Sequence, residues 1–238
     1  MAPPARATSP AEEPRTFWDV PEPTTDAWRE KRRLAAALRE LAALCVTTDA
    51  PETTLAYAAD AVSRIAERIG AFPSRTFRDA WASCTTPDDF AVFADRAPLT
   101  GESNPFAPPM RLHMQGDEAV GIIAFGPQFE GIPGCVHGGL VAAAFDQVFG
   151  YLQVKRGVRS LTGSLTVRYR KPTPLETELR FDAHVERVEG RRSYVLSRLM
   201  AGDEVTAEAE AIFIALDAER MQSMIVPKNT SPTNTSED

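Results

Sequence analysis

The sequence is short of cysteine, histidine and long apolar runs, and each shortage excludes a class of protein. Among 238 residues there are three cysteines and three histidines, too few for a framework of paired disulfides and without the spacing of a zinc site. No apolar run approaches the roughly 20 residues that a membrane-spanning helix needs. We therefore expect no disulfide scaffold, no metal centre and no membrane span.

Positive charge is scarce as well, except in one region. The formal net charge of −7 disfavours a nucleic-acid partner, because binding to a phosphate backbone needs a basic surface. Residues 155–192 depart from this balance, with ten Lys or Arg against five Asp or Glu. We interpret this basic zone either as a site for a small anionic ligand or as the solvated face of a strand.

Both ends of the chain are rich in proline and threonine and poor in apolar residues. Residues 1–26 and 218–238 are therefore predicted to be tails without a packed core. The amino-terminal stretch MAPPARATSPAEEPRTFW also lacks the apolar segment of a secretory signal. Together with the unpaired cysteines, this predicts a cytoplasmic protein.

Residues 27–103 are predicted to form a helical extension whose role the sequence does not reveal. Its first helix follows N-cap candidates at residues 24–26 and has apolar residues at helical spacing; these are Trp28, Leu34, Leu38, Leu41 and Cys45. A second helix is expected over residues 51–69, with a proline in its first turn, and a short third helix over residues 76–83.

Residues 104–217 are predicted to form one α+β domain. A hairpin around Gly116 is followed by LVAAAFDQVFGYLQV, an apolar segment of helical length that must be buried nearly all round. Four segments of alternating polarity come next, at residues 160–171, 177–188, 192–200 and 204–216. Two strands, a buried helix and four strands predict a single antiparallel sheet wrapped on one central helix.

The central helix begins at a His-Gly-Gly motif formed by His137, Gly138 and Gly139. Glycines at a helix N-terminus leave backbone N–H groups open to a ligand, with the positive end of the helix dipole behind them. Donors fixed in this way can stabilise the negative oxygen of an attacked carbonyl, as an oxyanion hole does. The plainer interpretation is a turn or a close packing contact.

Asp146 lies within the same helix among alanine, valine and phenylalanine. A carboxylate in such surroundings needs a partner, so it is either a satisfied structural acid or a general base or nucleophile toward a thioester or ester carbonyl. Gly138 and Asp146 are separated by about 12 Å along a helix, and one carbonyl cannot touch both. If they act on the same carbonyl, two antiparallel helices must meet in a two-fold dimer with shared sites.

The strand at residues 160–171 alternates in polarity, so Thr162, Arg168 and Arg170 are predicted to share one face. A hydroxyl on that face could position water beside a carboxylate, and arginines about 20 Å further along could bind phosphate oxygens. The alternative is a solvated polar face. Cys135 is interpreted as a packing residue rather than as a nucleophile, because no third group orients a Cys-His pair there.

Four stretches of the sequence carry a resemblance to a known family. GCVHGGLVAAAFDQVFG, LTGSLTVRYRKPTPL, VERVEGRRSYV and AEAEAIFIAL resemble the hotdog-fold acyl-CoA thioesterases of the PaaI-like type, over residues 104–217. The resemblance implies a long helix wrapped by an antiparallel sheet, and a homodimer or a dimer of dimers that shares its active sites. It implies no separate cofactor, because coenzyme A is part of the substrate.

The same resemblance implies roles for individual residues. The catalytic acid falls on Asp146, the positioning hydroxyl on Thr162, and the groups that polarise the thioester carbonyl on His137, Gly138 and Gly139. The coenzyme A contacts fall on Arg168, Arg170, Arg191 and Arg192, although related members can carry Asn at the position of Arg168.

Together these features predict an acyl-CoA thioesterase that needs no metal. The runner-up is a non-catalytic acyl-CoA binding or sensing module on the same fold, which Asp146 disfavours because binding alone needs no acid near a carbonyl. A dehydratase on a related hotdog scaffold would need a His and an Asp paired to move a proton from carbon, and His137 and Asp146 do not fit that pair. The acyl chain, and the choice between general base and nucleophile, stay open.

Overall fold

The computed structural model describes residues 22–74 and 84–217. Three helices come first among these residues, α1 Asp26–Thr47, α2 Glu52–Gly70 and α3 Pro87–Ala94. They are followed by β1 Arg111–Gln115, β2 Glu118–Ile123, a 3₁₀ turn Pro127–Phe129, α4 Gly138–Lys155, β3 Ser160–Tyr169, β4 Leu179–Glu189, β5 Arg192–Ala201 and β6 Glu204–Ala215. The helix expected over residues 76–83 and most of the two predicted tails lie outside the described residues.

The six strands form one antiparallel sheet in the order β1-β2-β4-β5-β6-β3. Helix α4 lies against one face of this sheet and contacts every strand. This confirms the predicted α+β hotdog arrangement. Although β3 follows α4 directly in the chain, it stands at the end of the strand order, so one of its edges has no partner strand among the described residues and is called the open edge below.

Helix α4 occupies the centre because nearly all of its surface is apolar. The Phe145 ring lies 4.9 Å from that of Phe181, and the Phe149 ring 6.3 Å from that of Phe213, both edge to face. Gly121 on β2 allows the helix to come close, since a Cβ there would lie 2.7 Å from Val148 Cγ2. A larger residue at this position would push the helix away from the sheet.

One buried carboxylate holds α1 on the domain. Asp95, which follows α3, is 1% exposed. Its Oδ2 accepts the Trp28 Nε1–H at 2.6 Å and the Arg32 Nε–H at 3.0 Å, and its Oδ1 accepts the Glu102 backbone N–H at 3.0 Å. The Ser103 hydroxyl donates to the same carboxylate. Because a buried charge needs such partners, this cluster fixes how α1 lies.

The packed face of α1 therefore differs from the predicted apolar stripe. The helix itself is present as predicted, but its buried residues are Trp28 and Ala35. Leu34 and Leu41 are 40% and 38% exposed. The side of the helix that carries Trp28 and Arg32 turns toward Asp95. Leaving a buried carboxylate unpaired would destabilise the fold by more free energy than leaving two leucines exposed to water. Helix α2 has no buried residue.

Replacing Asp95 by alanine is expected to lower the free energy of unfolding by about 2–4 kcal/mol, because the Trp28 N–H loses its acceptor and the largely buried Arg32 is left with the more exposed Glu102 at 3.2 Å. Urea unfolding measures this loss, and hydrogen exchange should register it first in α1. Asp26→Ala is the matched control, since it removes only an exposed partner of Arg29 and should cost much less. Equal losses in the two variants would contradict the anchoring role of Asp95.

Candidate active site

The first turn of α4 is capped by its own histidine. His137 is the N-cap residue, and its Nδ1 accepts the Gly139 N–H at 3.1 Å. The His137 N–H donates to the Phe129 carbonyl at 2.9 Å, and the His137 carbonyl accepts the Leu140 N–H at 2.9 Å. Of the predicted pair of donors, the Gly139 N–H is thus already engaged. The Gly138 N–H has no hydrogen-bond acceptor within the described part of the chain.

Tyr169, at the end of β3, lies against this turn. Its hydroxyl donates to the Gly138 carbonyl oxygen at 2.7 Å. A Cβ on Gly138 would lie 3.3 Å from the Tyr169 ring, so the tyrosine fills the space that a side chain would need. Sequence reasoning missed this residue. The signal that could have indicated it is an aromatic side chain at the end of the strand that runs back along α4 toward the His-Gly-Gly turn.

Asp146 and Thr162, predicted as acid and hydroxyl, lie in contact. The Thr162 hydroxyl donates to Asp146 Oδ1 at 2.7 Å, which brings together residues 16 positions apart on α4 and β3. Asp146 is half-buried and Thr162 is exposed. Because the hydroxyl engages one carboxylate oxygen, Oδ2 is left to take a proton from water or to attack an electrophile.

The expectation that Thr162 shares a face with Arg168 and Arg170 is wrong. The pairing of β3 with β6 shifts between Thr162, opposite Phe213, and Ser164, opposite Ile212. The intervening Gly163 forms a bulge, and an extra residue reverses the inside-outside alternation on either side of it. Thr162 therefore faces α4 with Phe213, whereas Arg168 lies on the outer face of the sheet beside Glu210. Arg170 follows the last residue of the strand and is not held in this alternation.

Glycine suits the bulge because the space is tight. A Cβ at position 163 would lie 3.1 Å from Ile214 Cγ1 and 3.2 Å from the Ile212 carbonyl oxygen. Backbone atoms of β6 cannot move aside as a flexible side chain can. The absence of a side chain thus permits the shift in register that turns Thr162 toward Asp146.

The four predicted arginines do not form one cluster. Arg168 pairs with Glu210 at 2.9 Å and Arg170 with Glu208 at 2.6 Å, all partly exposed. Arg191 donates to the Ala215 carbonyl at 2.8 and 3.0 Å. In the sheet, Arg192 and Leu161 are both aligned with Ile214, and Arg168 lies seven residues further along β3, or about 23 Å. Within one chain the two pairs of arginines are therefore at opposite ends of the sheet.

A cavity of about 600 Å³ lies at the N-terminal end of α4. His137, Gly138 and Tyr169 line it together with Arg170 and Lys171. Its volume and mixed lining suit a small-molecule ligand with an anionic group. Lys171, which pairs with Glu204, was absent from the predicted contacts, although its position in the basic zone was a signal for it.

Asp146 and Thr162 do not line this cavity. The helical rise places Asp146 about 12 Å beyond Gly138 along α4. Both features border the open edge of the sheet, where Leu161 and Tyr169 on β3 are 45% and 53% exposed. One chain thus presents a helix N-terminus and an acid–hydroxyl pair that cannot reach the same atom.

Two features are absent from residues 22–74 and 84–217. No group of three or more His, Cys, Asp or Glu side chains in them is arranged to hold a metal ion. None of the helices in these ranges has the length and apolarity required to cross a bilayer.

Cys135 lies in the cavity wall, where its thiol is 3.7 Å from the Pro133 carbonyl oxygen.

Comparisons with known proteins fall on the part of the chain that carries these residues. The sequence pattern described as "Thioesterase superfamily" matches residues 133–208. Acyl-coenzyme A thioesterase THEM4 of Mus musculus is 35% identical over 103 residues, which are 42% of this chain and 44% of that one. The protein of the same name from Xenopus laevis is 37% identical over 93 residues, 38% and 42% of the two chains.

A more distant relative aligns over a longer stretch. Acyl-coenzyme A thioesterase THEM5 of Mus musculus is 26% identical over 133 residues, 55% of this chain and 53% of that one. The chain thus spans about half the length of the curated relatives it matches. A solved crystal structure of a thioesterase superfamily protein aligns with a TM-score of 0.67 at 25% identity, covering 77% of this chain and 94% of that one. This structural match extends beyond the hotdog domain into the helical extension.

Proposed function

We propose that this chain, which carries a hotdog domain of the thioesterase superfamily, hydrolyses acyl-CoA thioesters to a free acid and coenzyme A. The observation that carries the proposal is the hydrogen bond of 2.7 Å from the Thr162 hydroxyl to Asp146. Asp146 lies on α4, the same helix whose N-terminus presents the open Gly138 N–H. The names of the relatives, acyl-coenzyme A thioesterases, support the same substrate class.

In the proposed reaction Asp146 accepts a proton from water as the water oxygen attacks the thioester carbonyl carbon. A C–O bond forms, the carbonyl electron pair moves to oxygen, and the Gly138 N–H stabilises the resulting oxyanion. Collapse of this intermediate breaks the C–S bond, and the thiolate of coenzyme A takes the proton back from Asp146. The thiolate is a good leaving group, so oriented water and one fixed donor supply much of the rate enhancement.

Asp146 can also act as a nucleophile on the same geometry. Its Oδ2 would attack the carbonyl carbon and expel the coenzyme A thiolate, and water would then hydrolyse the mixed anhydride. Thr162 serves either route, because its hydroxyl holds Oδ1 and so fixes the direction of Oδ2. If that water attacks the Asp146 carbonyl carbon of the anhydride, ¹⁸O from labelled water enters Asp146 during turnover, whereas a general base never acquires the label. Trapping of the anhydride by hydroxylamine tests the alternative in which water attacks the acyl carbon.

A working site needs two copies of the chain. About 12 Å separates the Gly138 N–H from Asp146 along α4, so the donor of one copy is proposed to meet the acid of the other in a two-fold dimer. The open edge of β3 and its exposed Leu161 and Tyr169 support pairing at this edge, where apolar surface and unpaired backbone groups would be covered.

Coenzyme A is proposed to enter through the cavity at the start of α4. Arg170 and Lys171 are among the residues that line it, and their cationic side chains are suited to phosphate oxygens. Arg191 and Arg192 lie too far along the sheet to contact the same nucleotide within one chain, so their roles, like that of Arg168, stay predictions. A cytoplasmic location and a dimer of dimers also stay predictions.

Asp146→Asn is expected to lower kcat by about a hundredfold or more, because the amide can neither accept the proton nor attack the carbonyl. Release of free thiol from short, long and aromatic acyl-CoAs measures the rate and ranks the substrates. Asp117→Asn, the same chemical change at an exposed aspartate in the turn between β1 and β2, is the matched control and should leave kcat unchanged. Unchanged kcat in Asp146→Asn would overturn the role of the acid. Binding of an acyl-CoA without turnover by the wild type would indicate a binding or sensing module.

Gly138→Pro is expected to lower kcat by about 10²–10³-fold, because proline removes the open N–H from the proposed oxyanion site. Gly138 is the first residue of α4, where proline is best tolerated, and His137 at φ −59° and ψ 128° has a conformation allowed before proline. A Cβ at position 138 would lie 3.3 Å from the Tyr169 ring. Gly138→Ala adds the same contact but keeps the N–H, so it is the matched control, and the difference in kcat between the two variants measures the effect of the N–H. Far-ultraviolet circular dichroism and thermal unfolding check that the variant folds.

Mixing the Gly138→Pro and Asp146→Asn chains tests whether sites are shared. If donor and acid come from different copies, each mixed dimer regains one intact site, and random mixing restores about a quarter of the wild-type activity. Unfolding and refolding the two chains together allows exchange. No activity in the mixture, with mixed dimers confirmed by mass, would contradict a shared site.

Coenzyme A is expected to protect Cys135 from alkylation, because this thiol lies in the cavity wall. The exposed Cys45 on α1 is an internal control whose alkylation rate should not change. Mass spectrometry after a brief treatment with iodoacetamide measures both sites in one sample. Equal rates at Cys135 with and without saturating coenzyme A would contradict binding in this cavity.

A further inference from the structure

The peptide group between Gly138 and Gly139 is held at both ends by side chains. Its C=O accepts the Tyr169 hydroxyl at 2.7 Å, and its N–H donates to His137 Nδ1 at 3.1 Å. The two side chains come from different elements, Tyr169 from the end of β3 and His137 from the N-cap of α4. Neither contact is needed to form the helix, whose first turn already has the His137 carbonyl as acceptor.

Such a clamp matters at this sequence position. Two successive glycines have more conformational freedom than any other pair, so without restraint the first turn of α4 would sample several orientations. A donor contributes to catalysis when its direction is fixed before the reaction. The Gly138 N–H lies in the plane of the His137–Gly138 peptide, whose C=O accepts the Leu140 N–H at 2.9 Å. When the Gly138–Gly139 peptide is held as well, both peptide planes that meet at Gly138 are fixed, and the Gly138 N–H cannot tilt.

The tyrosine and the glycine also fit each other sterically. The Tyr169 ring lies where a side chain at position 138 would be, 3.3 Å from the Cβ position, and both residues line the cavity. The ring therefore restricts the turn from one side while the hydroxyl restrains the carbonyl. A donor on a C=O also polarises the N–H of the same peptide, which strengthens its bond to His137.

We propose that Tyr169 is a positioning residue for the oxyanion donor: its hydroxyl fixes the Gly138–Gly139 peptide and thereby aims the Gly138 N–H at the thioester oxygen. This inference rests on the proposed function and extends it to a residue on the strand that follows the helix. Tyr169 exchanges no proton and forms no bond with the substrate. It acts by removing alternative orientations of the donor.

Tyr169→Phe is expected to lower kcat by about tenfold and to leave KM within about twofold of the wild-type value. The ring remains, so the cavity wall is intact and ground-state binding persists, whereas stabilisation that operates in the transition state is reduced. The loss should be smaller than that of Gly138→Pro, because the donor is still present. Tyr57→Phe, at a 71% exposed tyrosine on α2, is the matched control and should change neither constant.

A second measurement reports on the donor without turnover. An acyl-CoA labelled with ¹³C at the thioester carbonyl is bound to Asp146→Asn, and the carbonyl stretching frequency is recorded by isotope-edited infrared spectroscopy. A hydrogen bond from the Gly138 N–H lowers this frequency relative to free substrate. Adding Tyr169→Phe to the Asp146→Asn chain should move the frequency back toward the free value or broaden the band, as expected for a donor with several orientations.

The outcomes separate this inference from the proposed function. If the wild type hydrolyses acyl-CoA while Tyr169→Phe retains its kcat and the carbonyl band is unchanged, Tyr169 is a packing residue and the inference is overturned, whereas the proposed function stands. If the wild type binds acyl-CoA without hydrolysing it, the proposed function fails, and the carbonyl band alone decides whether Tyr169 orients the donor. If the wild type neither hydrolyses nor binds an acyl-CoA, so that no bound carbonyl is detected, both are overturned.

Discussion

The apolar surface of α4 is the constraint on which the rest of the structure depends. A helix of 18 residues with one acidic side chain cannot face water, so the sheet must curve around it and the aromatic contacts of Phe145 and Phe149 follow. A ligand can then approach only the parts of the helix that the sheet leaves uncovered. These are its N-terminal turn and the side that carries Asp146, both next to the open edge of β3.

Features encoded within one element could be predicted from the sequence. The central helix follows from its apolar run, the strands from alternating polarity, and the His-Gly-Gly turn and Asp146 from their places on the helix. The direction of α1 could not be predicted in this way, because it depends on Asp95, more than 60 residues away in the chain. Apolar periodicity identifies a helix, but a buried charge elsewhere decides which side of it is packed.

The sequence predicts which residues belong to the candidate site, but not which of them contact one another. Sequence spacing gave the 12 Å between the Gly138 donor and Asp146, whereas the contacts of Tyr169 and Lys171 depend on where β3 ends relative to the start of α4. The engagement of the Gly139 N–H by His137 reduces two expected donors to one. The separation of Arg168 from Arg192 likewise follows from strand register, which a single sequence read along its length does not contain.

The bulge at Gly163 separates two halves of β3 that face different surroundings. Thr162 and Ser164 are aligned with consecutive residues of β6, Phe213 and Ile212, so they already face opposite sides of the sheet and Gly163 is the extra residue between them. Deleting Gly163 alone would therefore leave a regular strand in which both halves keep their faces and their partners. Deleting one of the flanking residues as well would exchange inside for outside on one half of the strand. Related chains can therefore lack this glycine and still direct the hydroxyl toward the helix, provided that both neighbouring residues are retained.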